Sequence, residues 1–339
     1  MKQGSVVHKT LEEQVHQTVA VDITSKEDAW GLRIWNIIQG LKTLRETGMT
    51  RELEIWGTVD GLVVNGVIDE VSYTCPDQGL EEAEIKSDPT NLLPADQATI
   101  SDFFGGPALE NEGHSIFQNL RSLKTAPKIY LTDVKTRGVR SIPKGASFRP
   151  TLMQLMIYHR LLSDLATNKV DVDVLFERYA LNADAQFSDS FIAQIGGLNE
   201  TFDDLPSSSE FDSVPSTQDS MTVLLTHNSL RSLWGFMIST FEQTMPAGKK
   251  SIGNVLKAEY RNATDGEVMG GKTFLYDDRK IEAYLEAEMR WWKGERSAQG
   301  VCVEEAYKCG SCEFADECDW RKNKVLEATE KMRRSRSVV

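Results

Sequence analysis

The chain has 339 residues, 40% of them hydrophobic and 26% charged, enough to bury one large core or two ordinary ones. A formal net charge of −13 excludes a protein that coats nucleic acid without selectivity, and no apolar run approaches the ~20 residues of a bilayer span. Four of the five cysteines stand between 302 and 318, which points to a reducing compartment and a metal rather than a secreted disulfide scaffold.

In chain order, the opening MKQGSVVHKTLEEQVH lacks the apolar core of a secretory signal and is too acidic for a transit peptide. It reads as the interior of a fold, with an upstream segment expected before it. His8, Leu11, Glu12 and Val15 recur at helical spacing and predict a helix over 4–18. A second amphipathic helix covers 30–46. Strands from Glu52 to Thr58 and from Leu62 to Val71 flank Val59-Asp60-Gly61, a hairpin turn. An acidic run follows from Pro76 to about Asn119. A strand covers Lys128–Lys135, a helix starts near Pro150, and 172–180 reads as a further strand. Residues 203–220, rich in Ser, Pro and Asp, read as a disordered insertion. Residues 221–245 are helical, and a long amphipathic helix from Asp277 leads to the cysteines. Helix, hairpin, strand, helix is the order of a mixed α/β core.

The strand IYLTDVKTR begins apolar and ends with Asp133, Lys135 and Arg137 at alternate positions, which share one face of an extended chain. Asp69 closes the preceding strand. If the two strands are neighbours, a carboxylate pair meets at one sheet edge. Such a pair suits Mg²⁺ or Mn²⁺, and an adjacent lysine can hold a water or offset charge on a phosphate. Arg137 can grip phosphate oxygens through two N–H groups. A solvated salt bridge is the plainer reading of D-x-K by itself.

The surroundings of D-x-K resemble the RecB-like branch of the PD-(D/E)XK nucleases. Gly4-Ser-Val-Val-His8-Lys-Thr-Leu11-Glu12 matches its first helix, Gly66-Val-Ile68-Asp69 its second strand, and Gln154-Leu-Met-Ile-Tyr158 the helix after D-x-K. The resemblance implies a restriction-endonuclease-like core, a mixed central sheet flanked by helices. It also implies that His8, Asp69, Asp133 and the Val134 carbonyl hold the metal. Lys135 would orient the water, and Gln154 and Tyr158 would line the site. A basic span containing Lys124, Lys128, Arg137, Arg140, Lys144 and Arg149 is expected to contact DNA.

Cys309-x2-Cys312-x5-Cys318 suits Zn²⁺ or an iron–sulfur cluster, both of which favour thiolates. A three-cysteine cluster after a RecB-like core is similar to the iron–sulfur nucleases. The phrases YLTDVKTR, RWWKGERSAQGVCVEEAYKCGSCEFADECDWR and GSVVHKTLEEQV resemble the exonuclease V family over nearly the whole chain. That resemblance implies a nuclease domain over 1–300, an iron–sulfur segment over 301–325 and a basic tail over 326–339. It implies a [4Fe–4S] cluster and a 5′-preferring exonuclease on single-stranded DNA that releases short pieces. Members act in mitochondria in fungi and in nuclear repair in animals. A single-strand DNA-binding protein is an expected partner, and a monomer is the expected state. No cysteine precedes Gly4, so the fourth cluster ligand that the resemblance implies is expected in the upstream segment, with Cys302 or Cys75 as the alternative. Trp291, Trp292 and Tyr284 stack bases or pack into the core. The alternative function is a non-catalytic iron–sulfur or zinc module that binds nucleic acid on a nuclease fold.

Overall fold

The computed structural model describes residues 23–87, 127–197, 217–297 and 299–336. Helix α1 (Lys26–Thr47) starts where the Ser25 side chain accepts the Asp28 N–H at 2.9 Å. It ends at Gly48, whose positive φ of 85° lets its N–H reach back to the Leu44 carbonyl. Ile34, Ile37, Ile38, Leu41 and Leu44 form its buried stripe.

Strands β1 (Met49–Val59) and β2 (Leu62–Ser72) form the expected hairpin. Asp60 and Gly61 both take positive φ at the turn, as a tight two-residue connection requires. Helix α2 (Gln78–Ser87) occupies the start of the acidic run read as a loop, and 88–126 lie outside the described residues. Strand β3 (Ile129–Arg137) lies next to β2. Helices α3 (Arg149–Ala166), α4 (Val172–Arg178), α5 (Asp189–Gly197), α6 (Thr217–Thr226) and α7 (Leu230–Thr244) precede the last two strands, β4 (Ile252–Asn262) and β5 (Val268–Leu275). Among the described residues the sheet has five strands, in the order β1-β2-β3-β4-β5. All neighbours are antiparallel except β3 and β4, which are parallel. The protein is therefore mixed α/β, with a mixed sheet and flanking helices.

Residues 172–180 do not form a strand. The Asp171 carboxylate accepts the N–H groups of Asp173 and Val174 and starts helix α4 instead. The helical stretch 221–245 is two helices, broken where Ser229 caps α7 by accepting the Ser232 N–H. Of the insertion read at 203–220, only 217–220 is described, and it opens α6.

Contacts divide the described chain into two compact units. The first runs to Ile142 and resumes over Gln154–Asp277, and it holds the whole sheet. Its core includes Trp56, packed against Trp30 and Trp234. Arg33 lies over Trp30 at 4.0 Å and binds both Glu54 carboxylate oxygens. The second unit joins Pro143–Met153 to everything from Asp278 onward. It contains helix α8 (Asp278–Trp292), a 3₁₀ segment (Val303–Ser311) and helix α9 (Asp319–Arg336). Its buried apolar side chains are few, among them Phe148, Met153, Ile281 and Met289. No described helix is long and apolar enough to cross a membrane.

Candidate active site

The β2–β3 ladder pairs Glu70 with Thr132 and Val71 with Leu131. The paired residues end at Glu70 and Thr132, immediately beside Asp69 and Asp133. The Val134 N–H donates to Asp69 Oδ2 at 2.5 Å, which fixes the carboxylate across the strands. Asp133 is 1% exposed, and its Oδ1 accepts from Lys135 Nζ at 2.9 Å. Lys135 sets its ammonium group against this buried carboxylate, and its own side chain is one-third exposed (33%).

The strand alternation is interrupted where Asp69 sits. Glu52 on β1 takes a left-handed φ of 51°, and the ladder skips the Glu52–Asp69 pair. Thr50 and Leu53, three residues apart, both face Gly40 of α1 as a result.

Helix α3 brings in Tyr158 and Gln154, one turn apart. Gln154 Nε2 donates to Tyr158 Oη at 2.7 Å, leaving the phenol's own O–H available as a donor. Gly66 is the seat of this ring: a Cβ there would collide with the Tyr158 edge. Burial pushes the Tyr158 phenol up. The Gln154 contact opposes that rise, the Asp133 charge adds to it, Lys135 offsets it and Asp69 adds further. The tyrosine thus lies within the electrostatic reach of both carboxylates and the lysine.

The structure brings together Asp69, Asp133, Val134, Lys135, Gln154 and Tyr158. His8 lies outside the described residues, as does Lys124. Of the basic span, Arg137 ends β3 and is partly exposed. Arg140 is turned toward the β4–β5 turn, pairing with Glu267 at 3.2 Å and Asp265 at 3.6 Å. Lys128 pairs with Glu81. Lys144 and Arg149 belong to the second unit and are exposed. Trp291 and Trp292 are not core residues of that unit, with Trp292 72% exposed. Sequence reasoning missed strand β4, which sets Ala258 beside Asp133 and the buried Tyr260 beside Lys135. The alternation Lys257-Ala-Glu259-Tyr-Arg261 carried that signal.

Among the described residues no three His, Cys, Asp or Glu side chains converge as a metal site. Cys309, Cys312 and Cys318 provide suitable thiolate chemistry, yet the 3₁₀ segment does not close them around one point. The Cys302 thiol donates to Glu305 at 3.4 Å, and desolvation together with the neighbouring Glu304 and Glu305 pushes its pKa up. Cys75 is also raised, first by burial, and lies in the first unit beside Glu81 and Tyr130.

A family model described as "Exonuclease V - a 5' deoxyribonuclease" matches residues 1–321. The chain belongs to the exonuclease V family. Exonuclease V of Danio rerio is 21% identical over 338 residues, which cover 98% of this chain and 65% of that protein. "Exonuclease V, mitochondrial" of Eremothecium gossypii is 23% identical over 395 residues, covering 96% of this chain and 71% of the relative. The mitochondrial exonuclease V of Candida albicans matches at 27% over 96 residues, 28% of this chain. The chain thus spans about two-thirds of the length of the two relatives it matches end to end.

Proposed function

We propose that this member of the exonuclease V family is a metal-dependent exonuclease that degrades single-stranded DNA from 5′ ends into short oligonucleotides. The single observation that carries the reading is the placement of the Asp69 and Asp133 carboxylates on the neighbouring inner strands β2 and β3, with the Lys135 ammonium against the second. Two hard oxygen donors fit Mg²⁺ or Mn²⁺, which Asp69 and Asp133 would hold with His8 and the Val134 carbonyl. When bound, that ion supplies the Lewis acid that polarises the scissile phosphodiester. Lys135 directs a water toward phosphorus through its N–H groups and offsets the charge that grows on the phosphate oxygens. The Tyr158 hydroxyl, held by Gln154, donates toward the same charge. Arg137 grips a neighbouring phosphate.

The cysteine spacing and the family support a [4Fe–4S] cluster on Cys309, Cys312 and Cys318. The thin apolar core of the second unit is the setting in which a metal staple contributes most. The fungal relatives, each a mitochondrial exonuclease V, support a mitochondrial setting, and the role there is maintenance or repair of DNA. A single-strand DNA-binding protein is the partner, and the enzyme acts as a monomer.

The test uses a 5′-labelled single-stranded oligonucleotide with Mg²⁺ and compares the wild type with Asp133→Ala and Lys135→Ala. Short labelled pieces from the wild type alone are expected, with Lys135→Ala slower by about 10²–10³-fold. Equal degradation by all three proteins would remove the assignment.

A further inference from the structure

Helix α9 has no role in the site described above, and nearly all of it lies beyond residue 321, where the family match stops. None of its described side chains is buried, and Val325, Leu326 and Met332 are exposed. An isolated helix of this length is marginal in water. Its ion pairs include Lys324 with Glu327 at 2.7 Å and Arg334 with Glu330 at 3.9 Å. Exposed pairs of this kind add a few tenths of a kcal/mol.

Its charge runs against the rest of the molecule. The helix carries seven basic residues against three acidic ones, in a chain whose net charge is −13. At 100° per residue, Lys322 and Arg333 fall on one side, Arg334, Lys331 and Lys324 on another, and Arg321 between. The basic groups therefore surround the helix and leave no segregated apolar face. A membrane-surface helix needs such a face. A phosphate backbone that winds past the helix does not.

We infer that α9 is an auxiliary nucleic-acid-binding helix that holds single-stranded DNA through its phosphates, with Lys331, Arg333 and Arg334 as its main contacts. The inference rests on the reading of the chain as acting on DNA, but not on its catalytic residues. Because it is sequence-independent and electrostatic, this contact raises affinity and processivity on long strands and leaves the chemical step alone.

The test is equilibrium binding of a fluorescent poly-dT oligonucleotide in EDTA, where no cleavage occurs, measured from 50 to 400 mM KCl. The full chain is compared with Lys331→Gln/Arg333→Gln/Arg334→Gln. Each lost phosphate contact lowers the slope of log K against log salt by about 0.7. The triple variant should thus lose about two units of slope and bind about a hundredfold more weakly near 0.1 M salt. Cleavage of a very short oligonucleotide at saturating concentration should be unchanged. An unchanged slope in the triple variant overturns the inference, even if the wild type degrades DNA. A reduced slope sustains it even if the wild type cleaves nothing, in which case the catalytic reading fails alone. Charge reversal by Arg333→Glu/Arg334→Glu must deepen the loss. Sedimentation with anionic phosphatidylserine vesicles that depends on the same residues, without a DNA effect, would assign the helix to membranes and overturn the proposal. Matching far-ultraviolet dichroism of all variants keeps the comparison free of unfolding.

Discussion

Gly66→Ala is the smallest change that tests how the site is built. At Gly66 an added methyl would enter the Tyr158 ring, with Cζ at 3.0 Å and the hydroxyl at 3.2 Å from the new carbon. Real side chains avoid such contacts, so something must move. At Gly66 the backbone is held by its ladder to Ile55 of β1, the pairing with β3 being confined to Glu70–Ser72, and the ring at the end of a side chain gives way before that ladder does. Tyr158 then loses the 2.7 Å bond from Gln154 and leaves the field of Asp133 and Lys135. Overpacking of this kind costs ~1–3 kcal/mol. In a domain of this size each kcal/mol lowers Tm by about 2–4 °C, so a fall of roughly 2–12 °C is expected. Thermal unfolding by circular dichroism reads it directly, and single-strand cleavage should fall with it. Tyr158→Leu, placed on Gly66→Ala, should restore most of the stability and none of the activity, because the two changes act on one contact. If Gly66→Ala melts within a degree of the wild type, the packing argument is wrong. It is equally wrong if the cost of Gly66→Ala is unchanged in the Tyr158→Leu background, since the clash then lies elsewhere.

Asp28 is fully buried and accepts from the Ser188 N–H and hydroxyl and from the Thr24 hydroxyl. Burial alone would raise its pKa, but these donors, with Ser25, outweigh it and hold the carboxyl below its ordinary value of 3.8. Its stabilisation is therefore complete above about pH 4 and is lost as pH falls through the depressed native value. Asp28→Asn should destabilise by about 1.5–3 kcal/mol at pH 7 and flatten the acid limb of a stability-against-pH curve; a parallel acid limb would contradict this. Arg33 stacks on Trp30 and forks onto Glu54, a geometry that an ammonium group cannot copy. Arg33→Lys should thus cost about 1–2 kcal/mol in urea unfolding, and equal midpoints for Lys and Arg would refute it. Anaerobically purified protein should absorb near ~400 nm, and Cys312→Ser should abolish the band. A colourless protein with one equivalent of zinc would replace the cluster assignment.

Much of the first unit was legible because its signals are local. Asp60-Gly61 marks the hairpin turn, the apolar Ile129–Leu131 marks β3, and the 3.6-residue pattern after Pro150 marks α3. The nearness of Asp69 to Asp133 could be expected from the motif order, and the Val134 N–H bond to the Asp69 carboxylate ties the two strands at that point. The residues misread were those where two periods compete. Val172–Arg178 contains enough β-branched and aromatic side chains to suggest a strand, but Asp171 caps it as a helix. β4 and β5 are polar on one face and rich in glycine, so their alternation was easy to overlook. The Gly66 seat for Tyr158 joins residues far apart in the chain and has no local signature. The ion pairs that turn Arg140 toward Asp265 and Glu267 are equally non-local, and they occupy an arginine expected to face DNA.

The parallel pairing of β3 with β4 has a consequence for biosynthesis. Ile129 and Leu131 are fully buried, but the strand that closes β3's second edge begins only at Ile252. A ribosome must deliver more than a hundred residues, helices α3 to α7 among them, before that edge is satisfied, and until then an apolar strand with open amide groups waits in water. Chains halted before residue 252 should accumulate as aggregates or depend on chaperones, and a completed strand β4 marks the point at which release becomes safe.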